Sequence, residues 1–120
     1  MLRRHTVSFY HALAGLFYAL TTQPNFAIHL LLSAVAIVAG YSYQISTPEW
    51  LILAVTISFG LVIELINTAI ESTVDLITDQ FHSKAKIAKD VSAAAMLVYA
   101  IGAVIIALII FIPKLLNIEY

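Results

Sequence analysis

Cysteine is absent from the 120 residues, which excludes disulfide bonds and thiol catalysis. Charge is scarce as well: Lys and Arg total 6, Asp and Glu total 7, and the formal net charge is -1. With no cluster of basic residues there is no electrostatic footprint for nucleic acid, and no nucleic-acid partner is expected. A soluble domain devotes about a quarter of its residues to charge. Here only 11% are charged against 62% hydrophobic, so the chain reads as a membrane protein before any motif is considered.

What is present are long apolar stretches. Phe26 to Tyr43 and Val91 to Ile112 hold no charge and approach or exceed the roughly 20 residues that a helix needs to cross a hydrocarbon core. A third run, Trp50 to Ile63, is short alone, but its helical pattern continues through Asn67, Glu71 and Asp75 without Gly or Pro. It reads as one long helix emerging from the membrane. Near the N-terminus Val7, Phe9, Tyr10, Leu13, Leu16, Phe17 and Leu20 recur at mostly helical spacing, which predicts an amphipathic helix at the interface. The expected fold is an all-α integral membrane protein, one domain over 1–120. It comprises a surface helix over about 5–21 and membrane helices over about 26–44, 48–80 and 86–113. Arg3 and Arg4 precede the first helix as in a signal peptide, but His11 interrupts the apolar stretch and a small-residue cleavage site is missing, so no cleaved segment is expected.

Basic residues orient the helices. Arg3 and Arg4 precede the first span, Lys84, Lys86 and Lys89 lie between the second and third, and Lys114 follows the third. Three spans with the N-terminus inside place five of these six in the cytoplasm. The segment from Gly40 to Glu49 has no basic residue and reads as the external turn, where Ser46 or Thr47 caps the helix that Pro48 helps to start. Trp50, Tyr41 and Tyr43 suit an external aromatic belt.

With about 100° of rotation per residue, Glu64, Asn67, Thr68, Glu71, Asp75 and Thr78 fall on one side of the second span. Counted from Pro48 at 1.5 Å per residue, Glu64 lies roughly 24 Å and Glu71 roughly 35 Å from the external end. The stripe thus runs from the inner interface toward the cytosol, where a lipid hydroxyl can meet a water-soluble reagent. A carboxylate at bilayer depth costs roughly 2.5 kcal/mol or more unless it is paired, hydrated or turned into a bundle. A purely structural alternative has Glu64 and Asn67 bonding neighbouring helices, and Asp75 and Asp79 simply solvated. Across the short connection stand His82, Lys89 and Asp90, at the start of the third span. Carboxylates at i and i+7 with a nearby His and Lys suit a divalent cation and phosphate, because Mg²⁺ prefers few protein carboxylates plus phosphate oxygens. No Walker-type G-x-x-x-x-G-K-[ST], G-x-G-x-x-G, H-R-D or D-F-G signature occurs, so a nucleotide site would need another architecture.

Other polar positions carry weaker signals. His29, early in the first span, reads as a hydrogen-bonded histidine rather than a ligand. His11 fits either a headgroup contact or a solvated position. Gly102 and the run from Ser92 to Ala95 read as helix contacts, since small residues let membrane helices approach closely.

The segment Glu64-Leu-Ile-Asn67-Thr-Ala-Ile-Glu71-Ser-Thr-Val-Asp75, followed by His82 and Ala88-Lys89-Asp90, resembles the prokaryotic diacylglycerol kinase family. Asp75-Leu-Ile-Thr-Asp79 and Ile112-Pro113-Lys114-Leu115 look most like its Gram-positive undecaprenol kinase branch, and the likeness extends from about Ser8 to Leu115. The resemblance implies ATP-dependent phosphorylation of a membrane lipid hydroxyl, most directly undecaprenol with diacylglycerol as the alternative. It also implies Mg²⁺, a homotrimer with shared active sites, and location in the bacterial cell membrane with the site at the cytoplasmic face. By position, Glu64 matches the catalytic general base and Glu71 a metal ligand. Asn67, Asp75, His82, Lys89 and Asp90 match the polar, nucleotide-binding set. Gln23 stands where the family usually has a second metal-binding Glu, which implies a weaker metal contact, and Ala14, Thr21 and Pro24 stand where basic residues are common. Two other classes compete. One is a proton- or ion-relay bundle using Glu64 and Glu71, for which His82 and Lys89-Asp90 are superfluous. The other is a non-catalytic family member, whose main support is Gln23.

Overall fold

The computed structural model describes residues 2–118, with side chains from residue 7 on. Four helices follow one another: α1 (Leu2–Thr22), α2 (Pro24–Ser42), α3 (Thr47–Ile77) and α4 (Ser83–Leu115). Among the described residues α2, α3 and α4 are long and apolar enough to cross a membrane, and α1 precedes them. The chain is a multi-pass membrane protein. The contact between α3 and α4 is the most extensive, α2 packs on α3, and α1 touches α2 and α3.

Each junction has a local cause. Between α1 and α2 the chain turns within one residue: Gln23 is extended (φ -107°, ψ 104°) and Pro24 opens α2. A residue before proline is pushed out of the helical region, and proline itself suits the first helical position. This starts α2 two residues before the expected 26. At its other end Gln44 adopts a left-handed φ of 51°, so the helix stops at Ser42 instead of 44. Ser46 then caps α3, and Glu49 accepts from both the backbone N–H (2.6 Å) and the hydroxyl (2.8 Å) of Ser46. The same carboxylate pairs with Lys114 Nζ at 3.1 Å, tying the start of α3 to the end of α4.

The other end of α3 departs from the expected 80. Thr78 is extended, and its hydroxyl accepts from the Gln80 N–H at 3.2 Å, a side-chain turn that competes with the helix. The helix therefore closes at Ile77, leaving Asp79 in the connection. α4 begins at Ser83, three residues before the expected 86, and runs past Pro113 to Leu115. A proline so near a C-terminus costs little. Leu116 still donates to Ile112 O, and Asn117 closes the turn with a left-handed φ of 50°.

The interior changes character along the bundle. Next to the α2–α3 turn lies an apolar core of Ile45, Leu53 and Ile110, with Trp50 and Phe111 against it. Gly40 makes room there, because a Cβ at that position would lie 2.8 Å from the Trp50 ring. Midway, Tyr99 crosses over Gly60 and donates to Thr56 O at 2.8 Å, and an added Cβ at 60 would run into its hydroxyl. Gly102, by contrast, faces open space and mediates no close approach within the chain. Toward the α3–α4 connection the buried residues are polar: Glu64, Asn67, Thr68 and Ser92. Most large apolar side chains point outward, as suits a chain whose solvent is lipid.

Candidate active site

The stripe on α3 is graded by depth. Glu64 is only 1% exposed, Asn67 and Thr68 are buried, Glu71 is half-buried and Asp75 is exposed. Because α3 outlasts its apolar packing, one helix face carries carboxylates from the bundle interior to its polar end. Glu64 lines a cavity of about 190 Å³ with Asn25 and His29 of α2 and Met96, Leu97 and Ala100 of α4. Its Oε2 is buried without a hydrogen-bond partner, as is Thr68 Oγ1.

One turn on, Asn67 joins two helices. Its Nδ2 donates to Glu71 Oε1 at 3.1 Å, and its Oδ1 accepts from the Ser92 hydroxyl of α4. Further along, Lys89 Nζ contacts Asp75 Oδ1 at 2.5 Å. These two residues, with Asp79, His82 and Lys86, line a separate cleft of about 280 Å³ around the α3–α4 connection. Buried Glu64 and the polar cleft are therefore distinct compartments along the same face.

The prokaryotic diacylglycerol kinase family matches residues 10–111. The chain belongs to that family. It is 43% identical over 114 residues to an undecaprenol kinase of Bacillus subtilis, covering 95% of this chain and 93% of the relative. A diacylglycerol kinase of Synechocystis is 43% identical over 112 residues, 92% of this chain but 64% of the relative. A diacylglycerol kinase of Pseudomonas aeruginosa is 33% identical over 88 residues, 73% of this chain and 72% of the relative. The chain is thus a membrane lipid kinase, and ATP is the phosphoryl donor that this kinase family implies.

Within this lipid kinase, the residues singled out in sequence are not all brought together. Asn67 meets Glu71, and Lys89 meets Asp75. Asp90, next to Lys89, is rotated away around α4, is exposed and pairs with Lys86 instead. His82 stands at the N-cap of α4 without a side-chain cap bond, exposed in the cleft. Gln23 is half-buried at the α1–α2 junction, where its Nε2 donates to Thr22 Oγ1 at 3.3 Å, and among the described residues no hydrogen bond links it to Glu71.

Among the described residues no three His, Asp or Glu side chains converge as a metal cage. Mg²⁺ does not need one: one or two carboxylates and substrate phosphates suffice. Glu71, with one oxygen held by Asn67, suits that mode as the carboxylate ligand.

The partners that α3 meets on the other helices are set by the packing. Ser92 reads from the sequence as a helix contact and makes one, through its hydrogen bond to Asn67 across α4 and α3. His29 and Asn25, on another helix, share the Glu64 cavity, and no spacing along the chain connects them to it.

Proposed function

We propose that this lipid kinase transfers the γ-phosphoryl group of ATP to the hydroxyl of undecaprenol, with diacylglycerol as the alternative acceptor. The chemistry rests on the buried carboxylate of Glu64, whose unpartnered Oε2 sits beside a cavity able to admit a hydroxyl. The acceptor rests on the Bacillus subtilis undecaprenol kinase, which matches over more than nine-tenths of both chains. The diacylglycerol alternative draws on the Synechocystis enzyme, equally identical but covered over 64% of its length.

In this reading Glu64 takes the proton of the lipid hydroxyl as its oxygen attacks the γ-phosphorus. The bond from that phosphorus to the β,γ-bridging oxygen breaks, and ADP leaves. A weak base suffices, since phosphoryl transfer is catalysed chiefly by positioning and charge neutralisation. Glu71, with Gln23 as a weaker second contact, would hold Mg²⁺, which supplies charge neutralisation on the phosphate oxygens. Asn67, Asp75, His82, Lys89 and Asp90 form the nucleotide-binding set. Lys89 provides positive charge for phosphate, held meanwhile on Asp75. Asp90 acts from the same turn of α4 through Lys86.

The basic residues orient the site toward the cytoplasm, and the membrane is the bacterial cell membrane. A homotrimer with shared sites is part of the proposal, carried by the resemblance of the Glu64–Asp75 segment, His82 and Lys89-Asp90 to the family. Light scattering of the detergent-extracted complex is then expected to give three chains.

The deciding experiment supplies purified protein in mixed micelles with ATP, Mg²⁺ and either lipid, and measures lipid phosphate. Undecaprenyl phosphate is expected to form faster than phosphatidic acid at equal lipid mole fraction. The reverse order reassigns the acceptor, and transfer to neither sinks the reading. A separate prediction concerns Gln23. A neutral amide oxygen binds Mg²⁺ more weakly than a carboxylate, so Gln23→Glu is expected to lower the Mg²⁺ concentration for half-maximal activity several-fold. An unchanged Mg²⁺ requirement takes Gln23 out of the metal shell.

A further inference from the structure

Ser92 and Asn67 are 25 residues apart in sequence, on different helices, and both are buried. The Ser92 hydroxyl donates to Asn67 Oδ1, and Asn67 Nδ2 donates to Glu71 Oε1 at 3.1 Å. The acidic end dictates the direction of this chain of bonds. An ionised carboxylate only accepts, so Asn67 must turn its NH₂ toward Glu71, which leaves Oδ1 facing α4. The hydroxyl that meets Oδ1 must then donate, although serine can do either. A flipped amide would set Oδ1 against the carboxylate, acceptor against acceptor, and NH₂ against a hydroxyl whose proton must turn away.

We infer that Ser92 is a positioning residue for the kinase reaction: it locks the Asn67 amide with its NH₂ on Glu71, and so fixes which carboxylate oxygen remains for the cation. Ser92 itself touches neither metal nor substrate. The inference rests on the proposed role of Glu71 as a Mg²⁺ ligand. Its physical basis is that a ligand oxygen held by a hydrogen bond is presented in one orientation, and that groups which orient ligands govern metal affinity strongly. Burial adds to the effect, because removing the hydroxyl leaves Oδ1 unsatisfied away from water.

The test uses the full chain in detergent micelles as wild type and as two variants, Ser92→Ala and Ser92→Thr. Mn²⁺ binding in the presence of a non-hydrolysable ATP analogue, without lipid, is followed by electron paramagnetic resonance. Ser92→Ala is expected to bind Mn²⁺ about tenfold more weakly, the lower end for loss of a ligand-orienting group. The Mg²⁺ concentration for half-maximal activity rises by a similar factor, while kcat at saturating Mg²⁺ stays close to wild type. Ser92→Thr, which keeps the hydroxyl, restores the affinity. Independently of metal, the Asn67 side-chain NH₂ resonances of ¹⁵N-labelled protein are expected to exchange faster in Ser92→Ala. Unchanged Mn²⁺ affinity and unchanged amide exchange, with only a lower Tm, overturn the inference and leave a packing hydrogen bond. If wild type binds no Mn²⁺, the metal role of Glu71 falls, and the metal-free amide exchange still decides Ser92: faster exchange supports the orienting role, and unchanged exchange overturns it.

Discussion

Glu64→Gln is expected to lower lipid phosphorylation by about 10²–10⁴-fold, the usual contribution of a positioned general base. The substitution is nearly isosteric, and Oε2 of Glu64 has no protein partner to lose. It also removes a charge that is 1% exposed at membrane depth, which is costly to keep there. The variant should therefore fold, assemble and unfold at a temperature equal to or above that of wild type. This separates chemistry from stability: a large fall in kcat with an unchanged Tm is the signature of a lost base. Binding of ATP and Mg²⁺ is expected to survive, because the cleft with Asp75 and Lys89 lies farther along α3. If turnover in micelles is unchanged, Glu64 is not the base.

The second large effect belongs to Glu71. Glu71→Gln preserves an oxygen that can accept from Asn67 Nδ2, so the link through Asn67 to Ser92 stays available. What disappears is the negative charge that holds a hard cation. Loss of the ligand charge itself is expected to cost at least about a hundredfold in activity at low Mg²⁺, the upper end of what altering a ligand's hydrogen-bond partner costs. Raising Mg²⁺ recovers part of this loss, whereas it does nothing for Glu64→Gln. The contrast between the two Mg²⁺ titrations is the measurement. An unaltered Mg²⁺ dependence in Glu71→Gln removes it from the metal shell.

Much of the architecture was legible because lipid is a simple solvent. A membrane span must satisfy its backbone internally and cover itself with apolar side chains, so hydropathy and length locate α2, α3 and α4 directly. Helix ends were harder. Competition from the Thr78 hydroxyl closed α3 early, and Pro113 failed to stop α4, both being local contests that hydropathy does not register. Within the site, Glu64, Asn67 and Glu71 share a face because helical periodicity alone makes them neighbours.

The sequence by itself determined that this chain is helical and membrane-embedded and that α3 carries an acidic face, since periodicity and hydrophobicity are properties of a single segment. Only the tertiary structure decided what that face meets. Ser92 bonds Asn67, Lys89 turns to Asp75 while Asp90 turns away to Lys86, and His29 shares the Glu64 cavity. Those pairings depend on the rotation and register of one helix against another. Side chains from separate segments set both, through the close approach of Tyr99 over Gly60 and the Glu49–Lys114 pair at the far end.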